Sequence, residues 1–366
     1  MTVRDRNAGP WSPYGRWAKE SPPARWDLAA SNLLHCDLDE LPGARQPLER
    51  FGDPGGGPIL EAAIARRFGA SPDRVAAAQG ASGACFLTLA ALAGPGDVVL
   101  VESPGYDPHM GAARLLGAEV QKIPRAFSEG FRLDADALAR RLTSRVRASV
   151  LTNLHNPSGA YADPWTLMEL AALADAVGAR IVVDEVYLEA AFDMDTTPAA
   201  IRHPAFVSVG SLSKAFGLSG LRVGWVLAEP ETAAAVRRVR DVVDGVGAPA
   251  MERMGALAME QVDTLLARAR RLLRPNVRLV RRFVEERDEL TWVQPADGSP
   301  VSFPRLVGVE DATPFAEAAW AEHDVKVAPG VLFGAPEHIR ISASGTRENV
   351  EGGLDALGRA LDRGWG

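Results

Sequence analysis

From Pro58 onward the chain alternates short valine- and isoleucine-rich runs with helical stretches, and no other feature restricts its fold as much. The apolar runs are RVAAAQ, DVVLVE, ASVLTNL, RIVVDEVY, FVSVGS and RVGWVLA. Strands that read as near-continuous apolar segments are buried on both faces, and crossover helices supply the cover. The pattern therefore predicts an α/β domain on a largely parallel sheet. Pro58 suits a first helical position, and Leu60, Ile64 and Phe68 follow on one face. Residues 1 to about 57 are rich in Pro, Trp, Arg and Gly with weak periodicity, and read as an arm with short helices at most. Residues 256–290 read as one long helix. TWVQP, VSFPRL, VKVAPG and HIRISAS, with helices between, read as a smaller α+β unit. The expected division is an arm over 1–45 that joins the small domain, a large domain over 46–255 and a small domain over 256–366.

A chain of 366 residues holds enough apolar material for two or three domains of about 150 residues. Its net charge of -7, without runs of like charge, excludes nucleic acid and anionic membrane surfaces as expected partners. The start, MTVRDRNAGPWSPYGRWAKE, has no apolar leader core, and no stretch of about 18 apolar residues could span a bilayer, so the expectation is a cytoplasmic protein. Cys36 and Cys85 lack CxxC partners and no histidine begins an HExxH, so neither a disulfide framework nor a metal site is expected. The glycine-rich stretches GDPGGGP and GASGA match neither a phosphate-binding P-loop nor GxGxxG nor GxSxG. GASGA does sit between a strand and an apolar helix, where exposed backbone N–H groups can accept a phosphate.

Of 40 basic residues only Lys19, Lys122, Lys214 and Lys326 are lysines. Biased genome composition accounts for the arginine excess, but it makes each lysine worth inspecting, because only lysine can lose its proton and attack a carbonyl. Lys214 lies in VSVGSLSKAFGLSGLRVGW, directly after an apolar strand and among small residues. Its charge pays a desolvation penalty there, which favours the neutral amine that a Schiff base requires.

Ser211-x-Ser213-Lys214 followed by Arg222 in GLRVGW resembles the cofactor-lysine signature of fold-type I pyridoxal-phosphate enzymes, specifically the class I/II aminotransferases of the aspartate aminotransferase superfamily. GASGA, ESPGYDP, HNPSG, VVDEVY, SLSK, VAPG and RISAS follow in that family's order from about residue 45 to the C-terminus. PYGRWAKESPPARWDLAASN is similar to the arm of a bacterial and archaeal branch. The resemblance implies a mostly parallel seven-stranded sheet covered by helices, a smaller α+β domain, pyridoxal 5'-phosphate as cofactor, and a homodimer with its active site at the interface. It assigns Lys214 as Schiff-base lysine and proton carrier, and Asp184 as partner of the pyridine nitrogen. Tyr187 and Asn156 become donors to the phenolic oxygen, and Tyr106 the ring that stacks on the cofactor. Ala81, Ser82, Ser211 and Arg222 would hold the phosphate. Arg340 would clamp the substrate α-carboxylate, with Asn156 and, from the arm, Ser31 and Asn32 beside it.

Two departures stand out. Phe51 replaces the aromatic hydroxyl that commonly reaches the phosphate across the dimer. The stretch Val242 to Pro249 lacks the arginine that serves acidic substrates and carries Asp244 instead. The expected reaction is therefore transfer of an amino group between an L-amino acid with a neutral, apolar or aromatic side chain and a 2-oxo acid; glutamate would need another arginine, such as Arg305. A carbon-sulfur β-lyase or an amino-acid synthase on the same scaffold stays open. A cofactor-binding regulator does not fit, because the arm is too short and too poorly helical for a helix-turn-helix.

Overall fold

The computed structural model describes residues 12–49 and 55–363; Phe51 lies outside the described residues. The arm carries a helix, Pro13–Glu20, and a two-residue strand, β1 (Trp26–Asp27). The large sheet follows as β2 (Val75–Gln79), β3 (Val98–Ser103), β4 (Glu119–Pro124), β5 (Val146–Thr152), β6 (Arg180–Asp184), β7 (Phe206–Ser211) and β8 (Val223–Leu227). Its order is β2-β8-β7-β6-β5-β3-β4, with β8 antiparallel to both neighbours and the other pairings parallel. Six of these strands correspond to the apolar runs. The seventh, β4, is a sheet edge with the mixed sequence EVQKIP and only Ile123 buried, so it has no continuous apolar signal.

Helices begin and end where local chemistry dictates. Asp163 caps Pro164–Val177 by accepting from the amides of Trp165 and Thr166, and Gly178 closes it at φ 70°, a left-handed conformation suited to glycine. The 256–290 segment is not one helix. Pro249 opens a helix to Glu260, Gln261 leaves helical geometry at φ -111°, and a second helix runs from Val262 to Glu285. Its first half packs in the large core through Leu265, Leu266, Ala269 and Leu273, whereas Val280 and Val284 belong to a second apolar cluster with Leu28, Phe315, Ile341 and Leu357. Pro275, inside the helix between those two halves, has no N–H to donate to the preceding turn.

Candidate active site

Six of the seven strands run in one direction, so the segments leaving their carboxyl ends gather along one edge of the sheet, where ligands of open α/β sheets bind. Because β8 is reversed, Arg222, just before its first residue, reaches the same edge. The cleft along this edge has a volume of about 730 Å³. It is lined by Ala81, Ser82, Tyr106, Asn156, Asp184, Tyr187, Ser211, Lys214, Arg222 and Asn32, all of the expected site residues except Arg340.

The phosphate end is shaped by close backbone approach. Gly80, at φ 70°, opens the helix Gly80–Leu92, and a Cβ on it would lie 2.5 Å from Arg222 Nη2. A Cβ on Gly224 would meet the Gly80 carbonyl carbon at 2.4 Å, so only glycine permits β2 and β8 to pair here. Ser82 lies within the first turn and is not the N-cap; its side chain bonds the Tyr106 phenol. Burial raises the Tyr106 pKa, which keeps that hydroxyl neutral. Among the described residues Arg222 Nη1 has only longer contacts, 3.5 Å to Ser213 Oγ and 3.3 Å to the Ser219 carbonyl. An exposed guanidinium beside a helix N-terminus and the Ser211 hydroxyl fits a phosphate.

Asp184 ends β6 with both oxygens held: the Val186 amide donates to Oδ1 at 3.2 Å, and His109 Nε2 lies 3.2 Å from Oδ2. Tyr187 is buried, and its hydroxyl has no partner among the described residues. A buried phenol without a partner, beside a carboxylate and an amine, is what a cofactor oxygen would satisfy. Lys214 Nζ donates to Ser31 Oγ at 3.0 Å and lies 5.9 Å from the Tyr187 ring centre, so its setting is less apolar than its sequence neighbours imply.

Arg340 is 0 % exposed and lies behind the cleft surface. Its Nη1 donates to Asn156 Oδ1 at 3.0 Å, and its Nη2 to the Tyr14 hydroxyl and the Ala29 carbonyl, both at 2.8 Å. Burial alone would raise the Tyr14 pKa, but the Arg340 and Lys214 charges outweigh it and hold the phenol below the ordinary tyrosine range. Below Asn156, Thr152 Oγ accepts from its amide at 3.0 Å, and the wholly buried Arg125–Glu102 pair, 2.7 Å apart, underlies this turn.

Sequence reasoning gave no role to Tyr14, His109, Lys326 or the Arg125–Glu102 pair; of the Ser31 and Asn32 pair it named, both line the cleft and Ser31 bonds Lys214. His109 was within reach, one turn after Tyr106 in GYDPH. Asp244 does not face the cleft; its carboxylate lies 3.6 Å from Arg240 Nε, and Arg240 also pairs with Glu252. Arg305 is exposed and outside the cleft lining.

The family description "Aminotransferase class I and II" matches residues 22–357. The chain belongs to the class I and II aminotransferases. It is therefore an enzyme of a family that works with pyridoxal 5'-phosphate, and the orphaned Tyr187 hydroxyl and the glycine cradle under Arg222 fit that group. This aminotransferase is similar to capreomycidine synthase of Streptomyces vinaceus, with 32% identity covering 96% of this chain and 94% of that one. It is also similar to arginine–pyruvate transaminase AruH of Pseudomonas aeruginosa, with 31% identity over 75% and 72%. The crystal structure of a PLP-dependent aminotransferase from Streptococcus suis superimposes with a TM-score of 0.88, 26% identity and 96% coverage of both chains. Among the described residues no helix is long and apolar enough to cross a membrane, and no cluster of metal-ligating side chains occurs.

Proposed function

We propose that this aminotransferase moves an amino group between an L-amino acid with a neutral, apolar or aromatic side chain and a 2-oxo acid. The observation that carries the reading is the convergence on one cleft of an amine, a carboxylate, an unpartnered phenol and a guanidinium at a helix N-terminus, with Arg340 behind it. Pyridoxal phosphate supplies an electron sink for a substrate carbanion when bound. Lys214 Nζ is the attachment point and the base that carries the α-proton, Ser31 orienting it. Asp184, steadied by His109, holds the ring-nitrogen proton, and Tyr187 and the Asn156 amide donate to the phenolic oxygen. Tyr106 covers the ring face; Ala81, Ser82, Ser211 and Arg222 bind the phosphate. Arg340 takes the α-carboxylate once the Tyr14 hydroxyl yields its place. The apolar and aromatic lining from Trp17, Leu154, Val186 and Tyr187 supports a neutral side chain.

The same reading keeps an arm over 1–45 and a large and a small domain, with the small one starting within the Val262–Glu285 helix, past Leu273, instead of at 256, and takes the chain as a cytoplasmic homodimer. Exposed Val242 (87%), Val243 and Val246 in one surface stretch support a subunit contact. A second reading, an amino-acid synthase, draws on the near full-length match to capreomycidine synthase. Purified protein mixed with leucine, phenylalanine, alanine or aspartate, without oxo acid, separates the two. A transaminase yields one equivalent of 2-oxo acid per site and stops, with aspartate the poorest of the four. In a parallel sample with an S-substituted cysteine, whose β-thiolate can leave, continued release of thiol, pyruvate and ammonia without an acceptor would support a synthase or lyase and overturn the transaminase.

A further inference from the structure

Three of the four lysines in this arginine-rich chain, Lys19, Lys214 and Lys326, line the same cleft. Lys326 is the one whose surroundings are unexplained. It sits on a two-residue strand, Val325–Lys326, paired in parallel with β1 so that Asp27 is its register partner. It is only 6% exposed. Its ammonium lies 4.7 Å from the Trp17 ring centre and 5.3 Å from that of Trp320, both in cation–π range.

Aromatic faces stabilise a cation but accept no ordinary hydrogen bond. Among the described residues no acceptor meets Lys326 Nζ and no carboxylate comes within 4.0 Å, so its three N–H donors are open to the cleft. Burial lowers the Lys326 pKa, while Asp27 and the Tyr14 phenol act the other way. Asp27 is only a partial counter-charge, because its Oδ1 already accepts from the Ala29 and Ala30 amides at 2.8 and 2.9 Å. A buried cation without its hydrogen bonds is costly unless a ligand supplies them. In the reading above, Lys214 is committed to the cofactor, Arg222 to the phosphate and Arg340 to the α-carboxylate, and Lys19, at the cleft rim, is exposed and solvated. Beyond Trp17 and Lys326 the surface continues as a groove of about 450 Å³ lined by Pro13, Trp320, Val327 and Leu332, apolar enough for a methylene chain.

We propose that Lys326 is the specificity residue for a terminal carboxylate, so that a dicarboxylic 2-oxo acid is accepted in one half-reaction while a neutral amino acid serves in the other. This rests on the transaminase reading and supplies the charge sought at Arg305. Trp17 and Trp320 hold the ammonium in place, and the methylenes of the substrate run along the Trp17 face.

The test compares glutarate with valerate, which has the same carbon count and one carboxylate, by calorimetric titration of the cofactor-loaded enzyme. Wild type should bind glutarate at least tenfold more tightly. Lys326→Met should lose that preference while keeping valerate affinity within about twofold, and Lys326→Arg should retain it; melting curves confirm that each variant is folded. In turnover with leucine as donor, Lys326→Met should raise the KM for 2-oxoglutarate at least tenfold and leave pyruvate unchanged. Undiminished glutarate preference in Lys326→Met, or wild-type preference for 5-aminovalerate over glutarate, overturns the proposal. Leucine half-reaction without glutarate preference sinks only Lys326's role. Glutarate preference without any half-reaction sinks the transaminase reading and leaves the anion site standing.

Discussion

On the sheet side of the cleft, Asp184 and Ser211 end strands, and Arg222 adjoins one, whose register is fixed by four or five paired residues. On the arm side, Tyr14 and Trp17 ride on an eight-residue helix, and Asp27 and Lys326 on strands of two residues. Moving a group on the first side means breaking a buried ladder under a core of Val182, Val207 and Val226. Moving one on the second breaks no comparable ladder: β1 is held by the Trp26 and Leu28 amides on the Asp324 and Lys326 carbonyls and by Asn349, and Tyr14 by Asp107 and Arg340. The geometry that chemistry cannot vary stands on the stiff wall, and the groups that meet the variable part of a substrate stand on the compliant one.

Substitutions can break or sharpen this contrast. Lys214→Ala, on the stiff wall, should slow the first half-reaction by about 10³-fold or more and abolish borohydride fixation of the cofactor. Fixation at Lys19 or Lys326 in that variant would remove the distinction between the walls. Arg340→Met should cost about 10- to 150-fold in kcat/KM for every amino acid tried, the range of one hydrogen-bonded charge. A loss confined to some side chains would show that Arg340 reads more than the α-carboxylate.

Tyr14→Phe sharpens the picture, because its hydroxyl occupies Arg340 Nη2 where a carboxylate oxygen would go. Freed of that competitor, the enzyme should show a KM about two- to tenfold lower with kcat changed little. A rise in KM would mean that Tyr14 supports Arg340 instead of standing in for substrate.

A last test concerns stability and not turnover, on the stiff wall beneath Asp184. Burial, with smaller help from the Asp184 and Glu189 charges, pushes Glu185 up to about 8, against about 4.3 for a free glutamate. The stability this group contributes is full below about pH 4 and falls as pH rises to about 8, by up to about 1.4 kcal/mol per unit. Glu185→Gln keeps an acceptor for the Ala199 amide, so its melting temperature should gain on wild type across that window and level off above it. Parallel melting curves would show Glu185 charged throughout.

The sheet side was legible in the sequence because its residues follow strands in short local motifs: Asp184 after RIVV, Lys214 three residues after β7, Gly80 directly after β2. Periodicity and spacing report such placements. The arm side was not, since Tyr14 meets Arg340 across 326 positions and Ser31 meets Lys214 across 183, and pairing at that separation leaves no local trace. Edge strand β4 was missed for a different reason, having a solvent-facing sequence with no apolar run. Asp244 misled because its carboxylate is spent on Arg240, a pairing across one helical turn that only the fold puts beside Glu252.

The Val262–Glu285 helix, about 36 Å long, works as a lever in two pieces. One piece is bolted to the large core up to Leu273, the other to the small core from Val280, and the missing N–H of Pro275 is the weak link between them. Asn276, just past that link, grips the Ala343 and Gly345 carbonyls at 3.0 and 2.9 Å. A bend at Pro275 would carry the Arg340 strand with it and stretch the Arg340–Asn156 bond, leaving the anchorage of Lys214 untouched.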